Sequence, residues 1–217
     1  MTDTAIAKET AESFWTRVRL ALGGLRPVQK ERAPAYGQAA IARSMGIKPR
    51  LGARIDEELA AGWSNAAARH VSISLLVIEI DRMTDYFNAY GRGYTDDCVL
   101  AVMRAVTDAL PRSGDTCLRL GRATFVIVLP DLPVLMARAC AAKITEAVRQ
   151  LNLPHKESHA GIVTVSMGLA VSNPRGGYDK RFFETAAEAL KKAQRKGLGR
   201  IEAVDLRPAQ ERKRKAA

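Results

Sequence analysis

Residues 71–81 read Val-Ser-Ile-Ser-Leu-Leu-Val-Ile-Glu-Ile-Asp. A near-continuous apolar run rich in β-branched residues predicts a strand buried on both faces. A strand of that kind needs helices above and below it. The neighbouring signals supply them. Leu51, Ile55, Leu59 and Trp63 recur every fourth residue and predict a helix before the strand. Val99, Val102, Met103, Val106 and Leu110 predict another after it, ended by Pro111. Residues 117–121 and 124–130 predict two strands joined by a short turn, a hairpin. Ala-rich residues 133–151 predict a helix, 162–171 a strand, and 181–196 a helix stopped by Gly197. The expected fold is α/β (α+β), with a mixed central sheet flanked by helices.

The ends of the chain differ from this body. Ala7, Ala11, Phe14, Trp15, Val18 and Leu22 predict an amphipathic helix that Gly23-Gly24 stops, followed by a linker through residue 44. The expected organisation is residues 1–44 as helix and linker, 45–203 as the domain, and 204–217 as a basic flexible tail. The chain has 217 residues with 34 Lys+Arg against 23 Asp+Glu, a formal charge of +11, and a pI near 9.9. Residues 1–50 carry nine basic and four acidic side chains, residues 207–217 five and one, and residues 51–206 twenty and eighteen. The surplus belongs to the ends, so it argues against a nucleic-acid-binding body. No apolar run reaches the ~20 residues that span a bilayer. Acidic residues stand where a signal peptide carries basic ones, and Cys98, Cys117 and Cys140 are odd in number and far apart. The expected location is the cytoplasm.

The buried strand ends in two acids, Glu79 and Asp81. Such carboxylates can hold Mg²⁺ for phosphate chemistry, or Glu79 can close the strand while Asp81 caps a helix. Other signals are bland. Gly91-Arg92-Gly93 is no dinucleotide fingerprint, and no G-x-S-x-G elbow occurs. His70, His155 and His159 lack companions at metal-ligand spacing and are expected at the surface.

Residues 78–97, Ile-Glu-Ile-Asp-Arg-Met-Thr-Asp-Tyr-Phe-Asn-Ala-Tyr-Gly-Arg-Gly-Tyr-Thr-Asp-Asp, resemble the D-I-D-x-F-K-x-x-N-D-x-Y-G-H-x-x-G-D stretch of GGDEF domains, the diguanylate cyclases. Met45 to Arg50 resembles the opening T-G-L-x-N-R, Val165 to Gly168 the V-S-x-G strand, and Ala186 to Gly197 the A-D-x-A-L-Y-x-A-K-x-x-G helix. The resemblance implies the nucleotide-cyclase palm-like GGDEF fold over residues 45–203. It also marks departures. The hairpin turn reads Gly121-Arg122-Ala123-Thr124-Phe125, so Ala123 and Thr124 stand where the family has its active-site acids, and Arg122 where it has a second Gly. Phe87 falls on the guanine-reading Asn and Gln194 on the phosphate-binding Lys, whereas Glu79 stands in for the first metal-binding Asp and Asp96 keeps the guanine-contacting acid. Phosphoryl transfer runs on metals and positioned charge. The resemblance therefore implies no catalytic residue, no required cofactor and no bound Mg²⁺, with Glu79 and Asp81 as remnants.

Arg112 to Asp115 resembles the family's R-x-x-D site for cyclic di-GMP. An Arg fork pairs with guanine O6 and N7, and a carboxylate accepts the N1–H and N2–H donors. Lys143 falls where the family adds a third basic contact. Composition alone reads the same stretch as a polar turn. The expectation is a catalytically inactive receptor for cyclic di-GMP, binding through Arg112, Asp115 and Lys143. It would relay to an unidentified protein partner and could form a homodimer through the N-terminal helix. The alternatives are a nucleotide-independent interaction scaffold and a weak residual diguanylate cyclase acting on GTP.

Overall fold

The computed structural model describes residues 51–112 and 115–208. The expected N-terminal helix and linker, and the tail beyond residue 208, lie outside the described residues. The elements in chain order are α1 (Leu51–Ala68), β1 (Ile73–Ile80), α2 (Met83–Asp108), β2 (Thr116–Arg119), β3 (Thr124–Pro130), α3 (Val134–Gln150), β4 (Val165–Ser172), α4 (Arg181–Arg195) and β5 (Ile201–Asp205). The sheet order is β2-β3-β1-β4-β5. β1 runs antiparallel to β3 and β4 on either side, and β5 pairs parallel to β4. β1 is thus central, as its apolar run requires.

Alternation along β1 divides the core. Leu76, Ile78 and Ile80 pack with α2 and α3, whereas Ile73, Leu75 and Val77 pack with α1 and α4. Helical periodicity does the rest: Ile55, Leu59, Trp63 and Ala66 are the buried face of α1. α4 presses especially close. A Cβ on Gly168 of β4 would lie 2.0 Å from the Ala186 carbonyl oxygen and 2.3 Å from the Leu190 nitrogen. Only glycine fits, and the small buried Ala186, Ala189 and Ala193 line the helix at that contact.

Three sequence expectations change. α2 begins at Met83, well before its apolar repeat, and bends at Gly91, where φ is 80°. β5 extends the sheet to Asp205, past the expected boundary at residue 203, and Arg207 is buried against the Asp205 carboxylate at 2.8 and 2.9 Å. His155 is buried rather than at the surface, with its ring edge-on to Tyr86 at 5.2 Å and Nε2 3.3 Å from the Arg82 carbonyl. Burial holds its imidazole below the usual histidine range. Cys98 is buried and Cys117 half-buried; burial pushes each thiol up to about 12, so both stay protonated. No described helix is long and apolar enough to cross a membrane.

Two outcomes follow from this packing. Gly168→Ala should destabilise the domain by about 3 kcal/mol or more, because rigid backbone rather than a mobile side chain blocks the methyl. A melt should show a loss of roughly 6–12 °C. Because His155 is held neutral when folded, the unfolded chain takes up the proton first as pH falls below 6.5. Stability should therefore drop with acidification in that window, and the slope should flatten in His155→Gln.

Candidate functional site

At the end of β1 the sheet opens between the β2–β3 turn and the start of α2. Two adjoining hollows, of about 460 and 690 Å³, share Phe87 and Arg122. Glu79, Arg82, Asp85, Ala123 and Thr124 line the first; Arg92, Thr95, Asp96, Arg119 and Gly121 line the second. Gln194 is not among the lining residues of either.

The two strand-end acids part company here. Asp81 is 3% exposed, and its carboxylate accepts from Thr164 Oγ1 at 2.7 Å, Ser166 Oγ at 2.6 Å and the Gly199 amide at 2.9 Å. It neither caps α2, whose N-cap is Arg82, nor faces the cleft. Its charge belongs to the fold. Glu79 alone remains in the cleft from that pair, and its cross-strand neighbours are the neutral Thr124 and Ser166. The other acids of the cleft are matched by arginines: Asp85 with Arg82 at 2.7 Å, and Asp96 with Arg92 at 3.8 Å. A hard cation such as Mg²⁺ wants several oxygens, usually including more than one carboxylate or a phosphate. Among the described residues no group of three or more His, Cys, Asp or Glu could hold a metal.

Two large side chains meet across the cleft. The Arg122 guanidinium lies over the Phe87 ring, 5.6 Å from its centroid. Arg119, which the sequence reading passed over, holds the turn that carries Arg122. Its Nε and Nη2 donate to the carbonyls of Gly121 and Arg122, each at 2.8 Å. Nothing in the local sequence marks that role, because its acceptors are backbone atoms.

Arg112 and Asp115 lie together at the turn from α2 into β2. The Arg112 amide donates to Asp115 Oδ2 at 3.1 Å, and the Asp115 amide returns to the Arg112 carbonyl at 3.2 Å. The Arg112 guanidinium points back toward the end of β3. Nη1 donates to the Pro130 carbonyl at 2.7 Å and Nη2 to that of Asp131 at 2.8 Å. Burial raises the Asp115 carboxyl above the usual carboxylate range, and the Arg112 charge and amide only partly offset it. Lys143 lines a shallow groove between α2 and α3 with Asp108 and Gln150, not a hollow with Arg112. It is still near the same turn. Burial first, and then the Asp115 charge, raise the buried Cys140 thiol, whereas Lys143 lowers it.

A five-stranded mixed sheet between two helical layers, with a cleft at the end of its central strand and the hairpin turn, defines a GGDEF-type α/β domain. The family model described as "Diguanylate cyclase, GGDEF domain" matches residues 52–200, and the chain belongs to that family. The probable diguanylate cyclase DgcC of Escherichia coli K12 is 25% identical over 140 residues, covering 64% of this chain and 37% of that protein. The chain spans about a third of the length of the curated relatives it matches. Among solved structures, the GGDEF domain of DgcB from Caulobacter crescentus, in complex with c-di-GMP, superposes with a TM-score of 0.61 at 24% identity, covering 70% of this chain and 88% of that one. Diguanylate cyclase SiaD of Pseudomonas aeruginosa, in complex with its activator SiaC, gives 0.63 at 21% identity, covering 92% and 79%.

The role assigned to Asp81 can be measured. Asp81→Ala strands the hydroxyls of Thr164 and Ser166 and the Gly199 amide in a dry site, and should cost about 3 kcal/mol or more. Glu79→Ala, at a half-buried residue, should cost less than about 1 kcal/mol. Denaturant midpoints of the two variants check the contrast.

Proposed function

We propose that this chain is a cytoplasmic GGDEF signalling domain that makes no cyclic di-GMP and instead binds it at Arg112 and Asp115, passing its state to a protein partner. The observation that carries the reading is the pairing of Arg122 with Phe87 across a cleft where Glu79 has only Thr124 and Ser166 beside it. Moving a phosphoryl group needs metal and fixed charge where negative charge develops, and losing such a group costs a hundredfold or more in rate. In the same chain the Arg-x-x-Asp pair is complete, solvent-facing at Arg112 and closed by its own amide bonds. An arginine fork and a carboxylate are complementary to the two hydrogen-bonding edges of guanine. The DgcB domain in complex with c-di-GMP supports that ligand class, and SiaD with its activator SiaC supports a protein partner. Neither Mg²⁺ nor another cofactor has a role in this reading, and Lys143 contributes charge near the bound ligand.

One observation favours a second reading, a scaffold that binds no nucleotide: the Arg112 guanidinium already bonds two carbonyls of its own chain. Calorimetry on the full chain separates the two. The receptor reading expects a cyclic di-GMP dissociation constant of about 10 μM or tighter, lost in Arg112→Ala. No heat of binding with ~100 μM ligand favours the scaffold. GTP with Mg²⁺ should yield no cyclic di-GMP above buffer overnight, and product that disappears in Glu79→Ala would restore the enzyme.

Acid should weaken the complex. Guanine's N–H donors need the Asp115 carboxylate, whose pKa is raised above 3.8. Affinity should be full above that raised value and fall as pH drops through it. In Asp115→Asn the dependence should vanish along with most of the affinity.

A further inference from the structure

The Arg112 guanidinium carries five N–H groups in a fixed plane. Two of them, one on Nη1 and one on Nη2, are held by the carbonyls of Pro130 and Asp131. That is the end of the guanidinium. The side edge, formed by Nε–H and the second Nη2–H, has no partner among the described residues, and Arg112 is exposed. A side edge of this kind is a two-pronged fork, spaced to meet two acceptors on one planar group.

We propose that the β3–α3 turn is the positioning device of the ligand site: the Pro130 and Asp131 carbonyls grip the end of Arg112 so that its side edge stands ready for guanine O6 and N7. The inference rests on the receptor reading above and adds residues that never touch the ligand. It turns the two internal bonds of Arg112 from a competitor of binding into its preparation. A free arginine samples many rotamers, and fixing them before the ligand arrives removes that entropy loss from the binding step.

The turn is built for rigidity. Asp131 sits at φ 56°, a left-handed conformation that residues other than glycine, asparagine and aspartate avoid. It is held there from several directions. The Asp131 amide donates to the Ser72 carbonyl at 2.7 Å, Ser74 Oγ donates to the Leu132 carbonyl at 2.7 Å, and Arg69 pairs with the Asp131 carboxylate at 3.1 Å. These contacts anchor the turn to β1 and to the loop between α1 and β1. The two carbonyls therefore present a fixed pair of acceptors to a side chain 18 and 19 residues earlier in the chain.

The test alters the turn without touching Arg112. In Asp131→Val a β-branched side chain opposes the left-handed conformation and displaces the carbonyls. Calorimetry should show cyclic di-GMP affinity at least about tenfold weaker than wild type. Asp131→Asn and Asp131→Gly, which keep that conformation, should bind within about twofold of wild type although both lack the ion pair with Arg69. Asp131→Ala should fall between, and reads the effect if the valine variant does not fold. In wild type, saturating ligand should slow hydrogen exchange at the Asp131 amide, because the grip and the bound guanine share one guanidinium. Equal affinity in wild type, Asp131→Ala and Asp131→Val overturns the inference and leaves the receptor reading intact. Faster exchange at Asp131 on binding overturns it as well, since the ligand would then have pulled Arg112 away. If wild type itself binds no cyclic di-GMP, the receptor reading fails and takes this inference with it.

Discussion

The carboxylate of Asp81 is the tie on which the arrangement of this domain depends. It closes the end of the central strand, yet its acceptor oxygens are filled from β4, through Ser166, from the residue before β4, Thr164, and from Gly199 on the way into β5. Its own amide donates to the Thr164 carbonyl, and the preceding amide, of Ile80, donates to Ala123 in the hairpin turn. One residue thus fixes where β1 stops, how β4 enters beside it, and where the chain lies before β5. A buried carboxylate is tolerated only when its lone pairs are occupied, and here three donors occupy them. That occupancy also settles its chemistry. An acid so completely engaged by its own protein has little left to offer an ion.

The close approach at Gly168 complements this tie on the opposite layer. β4 meets α4 at backbone distance, so the helix is seated by main-chain contact as well as by the burial of Phe182 and Leu190. The sheet is therefore pinned at one end by a charge and in its middle by the absence of a side chain. The cleft lies beyond the pinned end, walled by the start of α2 and a hairpin turn that Arg119 braces. Its walls are firm even though its acids are few. The turn at residues 121–125, Gly-Arg-Ala-Thr-Phe, contributes no acid to it.

How far the sequence reveals this depends on distance along the chain. β1, the hairpin, α3 and α4 are legible because their patterns are local: a continuous apolar run, paired short runs, and repeats of three and four. The first turns of α2 are not, since Met83 to Asp97 is polar and interrupted by Gly91 and Gly93. β5 is half-buried along its whole length, so Ile201–Asp205 lacks the apolar run that marks β1. His155 hides in a polar loop whose packing against Tyr86 comes from an element about seventy residues away. The function of Asp81 is still less legible. Its donors lie 83, 85 and 118 residues further on, and a D-x-D-like strand end reads equally well as a metal site. The motif identifies the family; long-range hydrogen bonds divide its two acids into one structural and one exposed to the cleft.

The same division runs through the rest of the chain. Residues that hold the backbone together carry the chemistry the fold needs: Asp81 with its three donors, Gly168 against α4, and Phe125 fully buried in the core beneath the hairpin. A buried carboxylate without its donors would unfold the sheet. The cleft, by contrast, is lined at its turn and at the start of α2 by Phe87, Arg122, Ala123 and Thr124, none of them an acid. At the exposed turn of Arg112 neither the sheet register nor the core requires an arginine. Its guanidinium is oriented by carbonyls of the β3–α3 turn, and its charge is set beside an acid whose ionisation burial already opposes. A polar turn needs only small residues that tolerate its backbone. A long cation aligned by a pair of main-chain acceptors, next to a carboxylate, is more than a turn demands.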